Sequence, residues 1–263
     1  LTNEEGKDEA LLSISEIFEY DLVELCSLLF GTVDNKHPGV RVVEAWSGSF
    51  IAGPVHCFAR VGNTGNGDER YYTPTQLRKL FQHRGWSRIV AFHTRNPPHR
   101  AHEFIQLKAL DETYSDGLLI SPVLGPTKSG DFVRDCVLNS YDSLIREKIL
   151  PPEKTLIGGF KSYSRFAGPR EAINHCIVRK NFGCTHITIG RDHAGVSNYY
   201  KKYSSQDLCK NLENKIKIKI IKYWEPVYSK ISKSIISIKN FDKKKHVKIS
   251  GTKIRELISK KRR

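Results

Sequence analysis

The sequence lacks the features that define several large classes of protein. No apolar run is long enough to cross a bilayer, and the first residues show no hydrophobic signal segment, so we expect no membrane partner. Neither the GxxxxGKS/T phosphate loop nor the GxGxxG dinucleotide fingerprint occurs. A P-loop kinase and a dinucleotide dehydrogenase therefore lose their main support.

Sulfur-containing residues are few. The chain has no methionine, and its six cysteines are scattered without a CxxC pair, so neither a zinc knuckle nor a thioredoxin-like redox site is indicated. Several cysteines lie within apolar patterns, as in "AINHCIV", which is typical of small buried side chains. We therefore expect reduced thiols and an intracellular location.

Acidic residues are few relative to basic ones: 28 Asp and Glu stand against 43 Lys and Arg, a net charge of +15. Such an excess could serve nucleic acid, an acidic membrane surface or polyanionic small substrates. Much of it lies in a lysine-dense stretch from Lys215 to the C-terminus, and a solvated surface explains that stretch equally well.

The chain divides into two regions of different texture. Residues 1–72 carry turn signals such as "DNKHPG" and "AGP", and we predict a β-rich N-terminal domain. Over residues 73–263 strand-like and helix-like segments alternate, starting with a helix that Thr73 caps, Pro74 begins and Gly85 ends. Because the strand runs are short, apolar and continuous, we predict an α/β domain with a Rossmann-like, doubly wound parallel sheet.

Polar and cationic residues follow three of the predicted strands, and ligands of open parallel sheets bind beyond the carboxyl ends of the strands. After "RIVAF" come His93, Thr94, Arg95, Asn96, Pro97, Pro98, His99 and His102; after "THITIG" come Gly190, Arg191, Asp192, His193, Ala194 and Gly195; after "HVKI" come Ser250, Gly251, Thr252, Lys253 and Arg255. Together the three sets predict a site for a highly charged anion.

The histidine pair has a specific chemistry. His99 and His102 are three residues apart, so on a helix they share one face. In a first helical turn, free N–H groups and the helix dipole attract anions, and imidazoles can stabilise charge on a leaving group. A structural histidine or a zinc pair is the alternative, although zinc pairs prefer i,i+4 spacing. Neither alternative accounts for Arg95 and Asn96 immediately before the pair.

The second set offers a complementary group of contacts. Gly190 permits close backbone approach, and Arg191 suits an anion. Asp192 could hold a ribose hydroxyl, and His193 can donate to phosphate. A third segment, "RFAGPREAINH", reads as architectural, because its Pro169 is well placed at a helix start.

These motifs closely resemble those of the ATP sulfurylase (sulfate adenylyltransferase) family. That family carries QTRNPxHRAHE, GRDHAG and ISGTxIR, where this chain has "HTRNPPHRAHE", "GRDHAG" and "ISGTKIR". The segments "GTVDNKHPGV", "AGPREA" and "VRKNFGCTH" are also similar to family segments. The resemblance implies a nucleotidyltransferase domain over 73–263, preceded by a partial PUA-like domain over 1–72.

The resemblance implies the family's reaction. A sulfate oxygen attacks the α-phosphorus of ATP and pyrophosphate departs in line, which gives adenosine 5′-phosphosulfate as the first step of sulfate assimilation, or ATP in reverse. It also implies Mg²⁺ with the ATP, no structural zinc, a homo-oligomer, no specific nucleic acid, and a cytoplasmic or plastid location. Two alternatives stay open: another nucleotidylyltransferase with an HxxH turn, and a basic PUA-like nucleic-acid-binding protein without catalysis.

Residue roles are implied in the same way. The catalytic set would be Thr94, Arg95, Asn96, His99 and His102. ATP would be bound by Arg95, Asn96, Pro97, Pro98, His99, His102, Gly190, Arg191, Asp192, His193 and Val227. Sulfate would be bound by His93, Arg95 and the backbone N–H of Ala194.

His93 departs from the family, which has glutamine at this position. A neutral imidazole donates one N–H, whereas a protonated one donates two and carries a charge that favours a dianion. We therefore predict that sulfate affinity falls as pH rises from about 6 to 8, around the ordinary histidine pKa of about 6.5.

Overall fold

In its described residues, the N-terminal region combines two helices with two small antiparallel sheets. Its strands are β1 (Ala10–Leu12), β2 (Glu16–Glu19), β3 (Ser49–Ala52) and β4 (Val55–Cys57), and its helices are α1 (Leu22–Phe30) and α2 (Pro38–Glu44). Strand β1 pairs with β4 and β2 pairs with β3, while the two helices pack together through Cys26, Phe30, Val40 and Val43. The structure is a computed structural model that describes residues 1–2, 6–58, 70–125, 132–249, 251, 254, 256–257 and 260. The prediction of an irregular, β-rich region missed both helices.

The segment "DNKHPG", predicted as a turn, leads into α2. The Nδ1 atom of His37 accepts hydrogen bonds from the backbone N–H groups of Gly39 (3.1 Å) and Val40 (3.3 Å), and Pro38 takes the first helical position. Because Nδ1 accepts, Nε2 carries the hydrogen and donates to the carbonyl of Phe166 at 3.1 Å. The cap therefore fastens the N-terminal region to a loop of the α/β part.

From Pro74 to Lys222 the chain alternates strands and helices as predicted. The strands are β5 (Ile89–Thr94), β6 (Gly117–Pro122), β7 (Thr155–Ile157), β8 (His186–Ile189) and β9 (Lys219–Lys222). The helices are α3 (Pro74–His83), α4 (Arg100–Glu112), α5 (Arg134–Arg146), α6 (Pro169–Asn181), α7 (Ser204–Asn211) and α8 (Glu213–Ile216). The predicted bounds of α3 are confirmed, since Thr73 forms a capping box with Gln76 and Gly85 follows the helix with a φ of 68°.

The five strands run parallel in the order β7-β6-β5-β8-β9. One face is covered by α3, α6, α7 and α8, and the other by α4 and α5. Ile89 and Ala91 of β5 point into the first core, and Val90 and Phe92 into the second. Burial on both faces explains the continuous apolar runs and confirms the doubly wound prediction. The strand order changes direction between β5 and β8, where such folds open a crevice.

The last strands are antiparallel and form a separate sheet, in which β10 (Glu225–Ser229) lies between β11 (Ser234–Ile238) and β12 (His246–Lys248). The prediction that "HVKI" extends the parallel sheet was therefore wrong. The connections from β9 to β10 and from β10 to β11 are short loops, whereas a parallel crossover needs a dozen or more residues. Of the residues predicted beyond this strand, Gly251 is described, whereas Ser250, Thr252, Lys253 and Arg255 lie outside the described residues.

Two further findings concern membrane-spanning helices and the thiols. No helix of the described part of the chain is long and apolar enough to cross a membrane. All six cysteines are free thiols, and four of them, Cys26, Cys176, Cys184 and Cys209, are buried.

The capping box gives a first testable prediction. We expect Thr73→Ala to lower the free energy of unfolding by about 1 kcal/mol, because the backbone N–H of Gln76 loses its acceptor. Urea unfolding followed by circular dichroism measures this loss. Thr75→Ala, in the same exposed first turn, is the matched control and should change stability by less than about 0.5 kcal/mol. Equal losses in both variants would contradict the cap.

Candidate functional site

A cavity of about 960 Å³ opens at the carboxyl ends of β5 and β8, within the range of small-molecule sites. The first turn of α4 and the antiparallel sheet complete its walls. Six of the ten histidines line it: His93, His99, His102, His175, His193 and His246. The other charged residues of its lining are Arg95, Arg191, Lys230, Lys243, Lys248, Glu171, Asp192 and Glu225.

Most of the residues predicted from the sequence meet in this cavity. Its lining includes His93, Thr94, Arg95, Asn96, His99, His102, Gly190, Arg191, Asp192, His193 and Ala194. Gly251 joins them, and a Cβ atom there would lie 3.9 Å from Cγ of Asn96. Pro97, Pro98 and Val227 are not part of the lining; Val227 is fully buried in β10, and its neighbours Glu225 and Pro226 face the cavity instead.

The hydroxyl of Thr94 holds the loop after β5 in a turn. Thr94 Oγ1 accepts from the backbone N–H of Asn96 at 3.2 Å and donates to the carbonyl of the same residue at 3.1 Å. The Thr94 hydroxyl is therefore engaged in holding the turn. Next to it, Arg95 donates from Nη2 to the carbonyl of Gly195 at 3.5 Å and lies 5.1 Å from the ring of Phe166. Arg95 thus bridges the ends of β5 and β8.

His99 and His102 stack at the start of α4, with ring centroids 3.8 Å apart and an interplanar angle of 19°. Burial lowers the pKa of His99, and burial together with the neighbouring His99 lowers the pKa of His102 to about 3. Both imidazoles are therefore neutral at neutral pH, and each has one N–H to donate. Their Nδ1 atoms are buried and have no hydrogen-bond partner among the described residues. The two Nδ1 atoms are therefore unpartnered polar atoms at the N-terminus of α4, whereas the ring of His102 also has a backbone hydrogen bond to Pro97.

Arg191 is already balanced by carboxylates. Its guanidinium lies 2.6 Å from Oδ2 of Asp192 and 2.7 Å from Oε1 of Glu225. An anion at this position would have to compete with both partners. The contact with Glu225 also ties the loop after β8 to β10, so that Arg191 holds two walls of the cavity together.

A second group of histidines lies beneath the loop after β8. The rings of His93 and His175 stack at 3.8 Å, and His175 Nδ1 lies 2.9 Å from His193 Nε2. On the other side of His175, its Nε2 atom lies 3.7 Å from Oε1 of Glu171. The Glu171 carboxylate is buried and accepts hydrogen bonds from two backbone N–H groups, at 3.0 and 3.1 Å. Glu171, His175 and His193 thus form a chain of polar contacts along the wall of the cavity.

The imidazoles of this group are uncharged at neutral pH. Burial, with the nearby His193 and cationic side chains, lowers the pKa of His175 to about 2. Burial and the charge of Arg95 lower the pKa of His193 to about 4, and burial and the neighbouring histidines hold the pKa of His93 well below 6.5. Burial raises the pKa of the Glu171 carboxyl. The three imidazoles are therefore neutral at neutral pH.

Several lining residues were not found from the sequence. Glu171 and His175 lie in "RFAGPREAINH", which was interpreted as architectural, and their i,i+4 spacing on a helix was the available signal. The two arginines of that segment, Arg165 and Arg170, are exposed and lie outside the cavity lining. Three lysines of the lysine-dense stretch, Lys230, Lys243 and Lys248, line the cavity. A lysine run carries no signal that separates such residues from a solvated surface.

The cavity carboxylates do not form a metal cage. Glu171 is held by backbone N–H groups, and Asp192 and Glu225 pair with Arg191. Within the described residues, no group of three or more His, Cys, Asp or Glu side chains is placed to hold a metal ion.

Comparisons with known proteins converge on one family. The ATP-sulfurylase family matches residues 68–263, and the PUA-like domain family matches residues 1–60. The chain is 39% identical over 257 residues to the sulfate adenylyltransferase of Chloroflexus aurantiacus (strain ATCC 29366 / DSM 635 / J-10-fl), covering 97% of this chain and 66% of that protein. It is 40% identical over 261 residues to the sulfate adenylyltransferase of Synechococcus sp. (strain JA-3-3Ab), covering 98% and 65%. The chain thus spans slightly less than two thirds of the length of these relatives.

A solved structure shares the fold. The hexameric APS kinase from Thiobacillus denitrificans superposes with a TM-score of 0.68 at 22% sequence identity, covering 97% of this chain and 43% of that chain. The predicted PUA-like character of the N-terminal region and the predicted α/β fold agree with these matches.

The desolvated, neutral histidines predict a loss of stability in acid. The folded-state pKa values of His102, His175 and His193, about 3, 2 and 4, lie below the 6.5 of an ordinary histidine. As pH falls below 6.5 the unfolded chain therefore takes up protons that the folded chain cannot. The free energy of unfolding should be constant from about pH 8 to 7 and should decrease from about pH 6.5 to 4.

Replacing one buried histidine tests this expectation. His175→Gln should reduce the slope of stability against pH by about 1.4 kcal/mol per pH unit in that window, because one proton fewer is taken up on unfolding. Urea unfolding at pH 7, 6 and 5 measures the slope. His83→Gln, at an exposed histidine, is the matched control and should leave the slope unchanged. A wild-type slope in His175→Gln would contradict a neutral, buried His175.

Proposed function

This chain belongs to the ATP-sulfurylase family, and we propose that it acts as a sulfate adenylyltransferase. A sulfate oxygen would attack the α-phosphorus of ATP while the bond from that phosphorus to the β-bridging oxygen breaks. The products would be adenosine 5′-phosphosulfate and pyrophosphate, and the same site would run the reaction in reverse. The observation that carries the proposal is the meeting of "HTRNPPHRAHE" and "GRDHAG" in one cavity at the point where the strand order reverses.

The stacked histidines suit the leaving group. In this proposal His99 and His102 donate N–H groups to the β- and γ-phosphates, at the positive end of α4. As charge accumulates on the departing pyrophosphate, these hydrogen bonds strengthen, which stabilises the transition state more than the bound substrate. Asn96 and Arg95 would hold the triphosphate in line, and Thr94 would act by fixing the turn. Positioning and charge stabilisation suffice, so no covalent intermediate is proposed.

The sulfate would lie between the ends of β5 and β8. Arg95 supplies a permanent charge there, and His93 and the backbone N–H of Ala194 would supply further donors. Ala194 has a φ of 57°, which is uncommon for a residue other than glycine, and its carbonyl accepts from the N–H of Gly168 at 3.0 Å. Strained backbone of this kind often marks a ligand contact.

The nucleotide would occupy the wall formed by the loop after β8. Gly190, Arg191, Asp192 and His193 would contact it, with Asp192 on a ribose hydroxyl. Pro97, Pro98 and Val227 are weaker assignments, because they do not line the cavity. Mg²⁺ would arrive with the ATP phosphates, whose charge it neutralises when bound, because the cavity carboxylates are already engaged by Arg191 or by backbone N–H groups.

The organisation of the chain is part of the proposal. We propose a boundary between residues 72 and 73; the two family matches, which end at residue 60 and begin at residue 68, support a division of the chain slightly before that position. Exposed apolar side chains of the N-terminal region, such as Ile17 and Val23, are compatible with the homo-oligomer that we propose. We also propose an intracellular, cytoplasmic or plastid, location.

The two alternatives make different demands. Another nucleotidylyltransferase would use the His99–His102 turn but has no need of "GRDHAG". A nucleic-acid-binding protein would account for the net charge of +15 but would leave the cavity without a purpose. Submicromolar, sequence-selective binding of nucleic acid at physiological salt would favour this second alternative, since non-specific binding is only about 10⁻⁴–10⁻⁶ M.

Pyrophosphate release from MgATP tests the proposed function. We expect release that depends on added sulfate or molybdate, and we expect His99→Ala and His102→Ala to lower kcat by roughly 10²–10³, with little change in KM for ATP. His83→Ala removes an exposed histidine outside the cavity and should be fully active. Pyrophosphate release that does not depend on sulfate or molybdate would refute the proposal. A loss of ATP affinity at constant kcat in the variants would show that His99 and His102 only bind the substrate.

His93 generates a separate prediction about pH. The pKa of His93 is held well below 6.5. In the free protein its imidazole is therefore uncharged over the range of about pH 6 to 8 in which the sequence predicted a change of affinity. KM for sulfate should therefore be constant from pH 7 to 8 and should decrease only below about pH 6.5, where the bound dianion favours protonation. His93→Gln should remain active and lose this decrease. Identical profiles of KM against pH in both proteins would show that His93 is not a sulfate ligand.

A further inference from the structure

One arginine lies completely inside the protein behind the cavity. The side chain of Arg179, near the end of α6, is only 1% exposed. Its guanidinium donates from Nη1 to the hydroxyl of Ser121 and lies 4.6 Å from the ring of Phe160 and 5.1 Å from that of Phe182. Its Nε and Nη2 atoms are buried and have no hydrogen-bond partner among the described residues.

The position of Arg179 relates it to the site. Arg179 follows His175 by four residues on α6, so the two side chains share a face of the helix. Its partner Ser121 lies opposite His93 in the register of β5 and β6, and paired residues of neighbouring strands point to the same side of a sheet. The guanidinium therefore lies behind the stacked rings of His93 and His175, which line the cavity, whereas Arg179 itself does not.

The charge of Arg179 is not balanced locally. Burial lowers its pKa to about 10, so it is still a cation at neutral pH. No carboxylate of the described residues forms an ion pair with it, and a buried charge without a partner is strongly unfavourable. The thiol of Cys184 also affects its pKa, but burial raises the pKa of that thiol to about 12, so the thiol is neutral and offers no balancing charge. An arginine of this kind is more easily explained if an anion compensates it in the working state.

We propose that Arg179 is a positioning residue whose buried charge attracts a doubly charged oxyanion to the part of the cavity lined by His93 and His175. It would thereby select dianions over singly charged oxyanions of the same shape. The inference deepens the proposed function, on which its identification of the dianion as sulfate rests. Arg179 would act through the field across the two rings, without touching the ligand.

The field of Arg179 reaches the cavity side of the rings. Burial is the largest cause of the lowered pKa values of His93 and His175, and the positive charge of Arg179 is a further cause for both. A charge that disfavours a proton on these rings favours an anion beside them. Because the guanidinium is buried, salt screens it much less than the exposed lysines of the cavity rim.

The test compares two tetrahedral oxyanions, sulfate and perchlorate, which differ in charge. The electrostatic energy is proportional to the charge of the ligand, so loss of one cation costs the sulfate dianion twice the energy that it costs perchlorate. The dissociation constant of sulfate should therefore increase by the square of the factor by which that of perchlorate increases. For a cation about 10 Å away at an effective dielectric constant near 20, we expect Arg179→Gln to weaken perchlorate binding roughly 10-fold and sulfate binding roughly 100-fold. Dissociation constants are measured by isothermal titration calorimetry with each anion at fixed ionic strength, without nucleotide.

Two variants separate charge from shape. Arg179→Lys keeps the charge and loses the planar guanidinium, so it should keep most of the preference for sulfate. Lys180→Gln removes the same charge from the next position of α6, at a half-buried residue, and should leave the ratio of the two dissociation constants unchanged. Equal weakening of both anions in Arg179→Gln, or no weakening, would overturn the inference and leave Arg179 as a packing residue between two phenylalanines.

The wild type provides a measurement that does not depend on the variant folding. Its ratio of perchlorate to sulfate dissociation constants should change less than about twofold between 0.05 and 0.5 M NaCl, because a buried charge is poorly screened. A ratio that collapses with salt would assign the preference to exposed lysines and overturn the inference. The outcome is independent of catalysis: selective sulfate binding without sulfate-dependent pyrophosphate release would refute the proposed function and leave this inference standing.

Discussion

The parallel pairing of β5 with β8 is the constraint on which the site depends. In this pairing Val90, Ala91 and Phe92 lie opposite His186, Ile187 and Thr188. After β5 the chain continues to β6 and β7 at one edge of the sheet, whereas after β8 it continues to β9 at the other edge. The loops that follow must therefore diverge, and the crevice between them is the cavity. A slip of one residue would exchange the two faces of a strand and turn His93 away from α6. The two buried cores exclude that slip, because Ala91 and Phe92 fit different faces.

The same constraint explains the electrostatics. Packing α6 against the sheet desolvates His93, His175 and Arg179, so the imidazoles are held neutral while the guanidinium keeps its charge. Neutral imidazoles cost less to bury than charged ones and still carry one N–H each, which makes them suitable donors for a ligand that brings its own negative charge. Arg95 and Arg179 place positive charge at defined positions in and behind the cavity wall, whereas Lys230, Lys243 and Lys248 are exposed lysines of the same lining.

The sequence predicted the parallel sheet and the first loops of the site because both rest on local signals. Continuous apolar runs marked the buried strands, Thr73 and Gly85 marked the ends of α3, and the rule about strand ends located His93 and Gly190. Helix α2 was missed because a histidine cap has no general sequence signature, and the direction of β12 was wrong because a short β-branched run does not indicate which strand it pairs with. His175 and Arg179 were missed because their roles follow from which face of α6 meets the sheet, a tertiary property.

Net charge was the least informative quantity, and Arg191 shows why. Its guanidinium contributes to the formal +15, yet Asp192 and Glu225 neutralise it where it stands. Its contribution is structural, since the ion pair with Glu225 joins the loop after β8 to β10 and so holds the parallel sheet and the antiparallel sheet together on two sides of the cavity. Arg179 is the opposite case, a single charge that no carboxylate of the described residues balances and that lies behind the wall of that space. Which of two arginines attracts an anion is therefore decided by its partners and its burial.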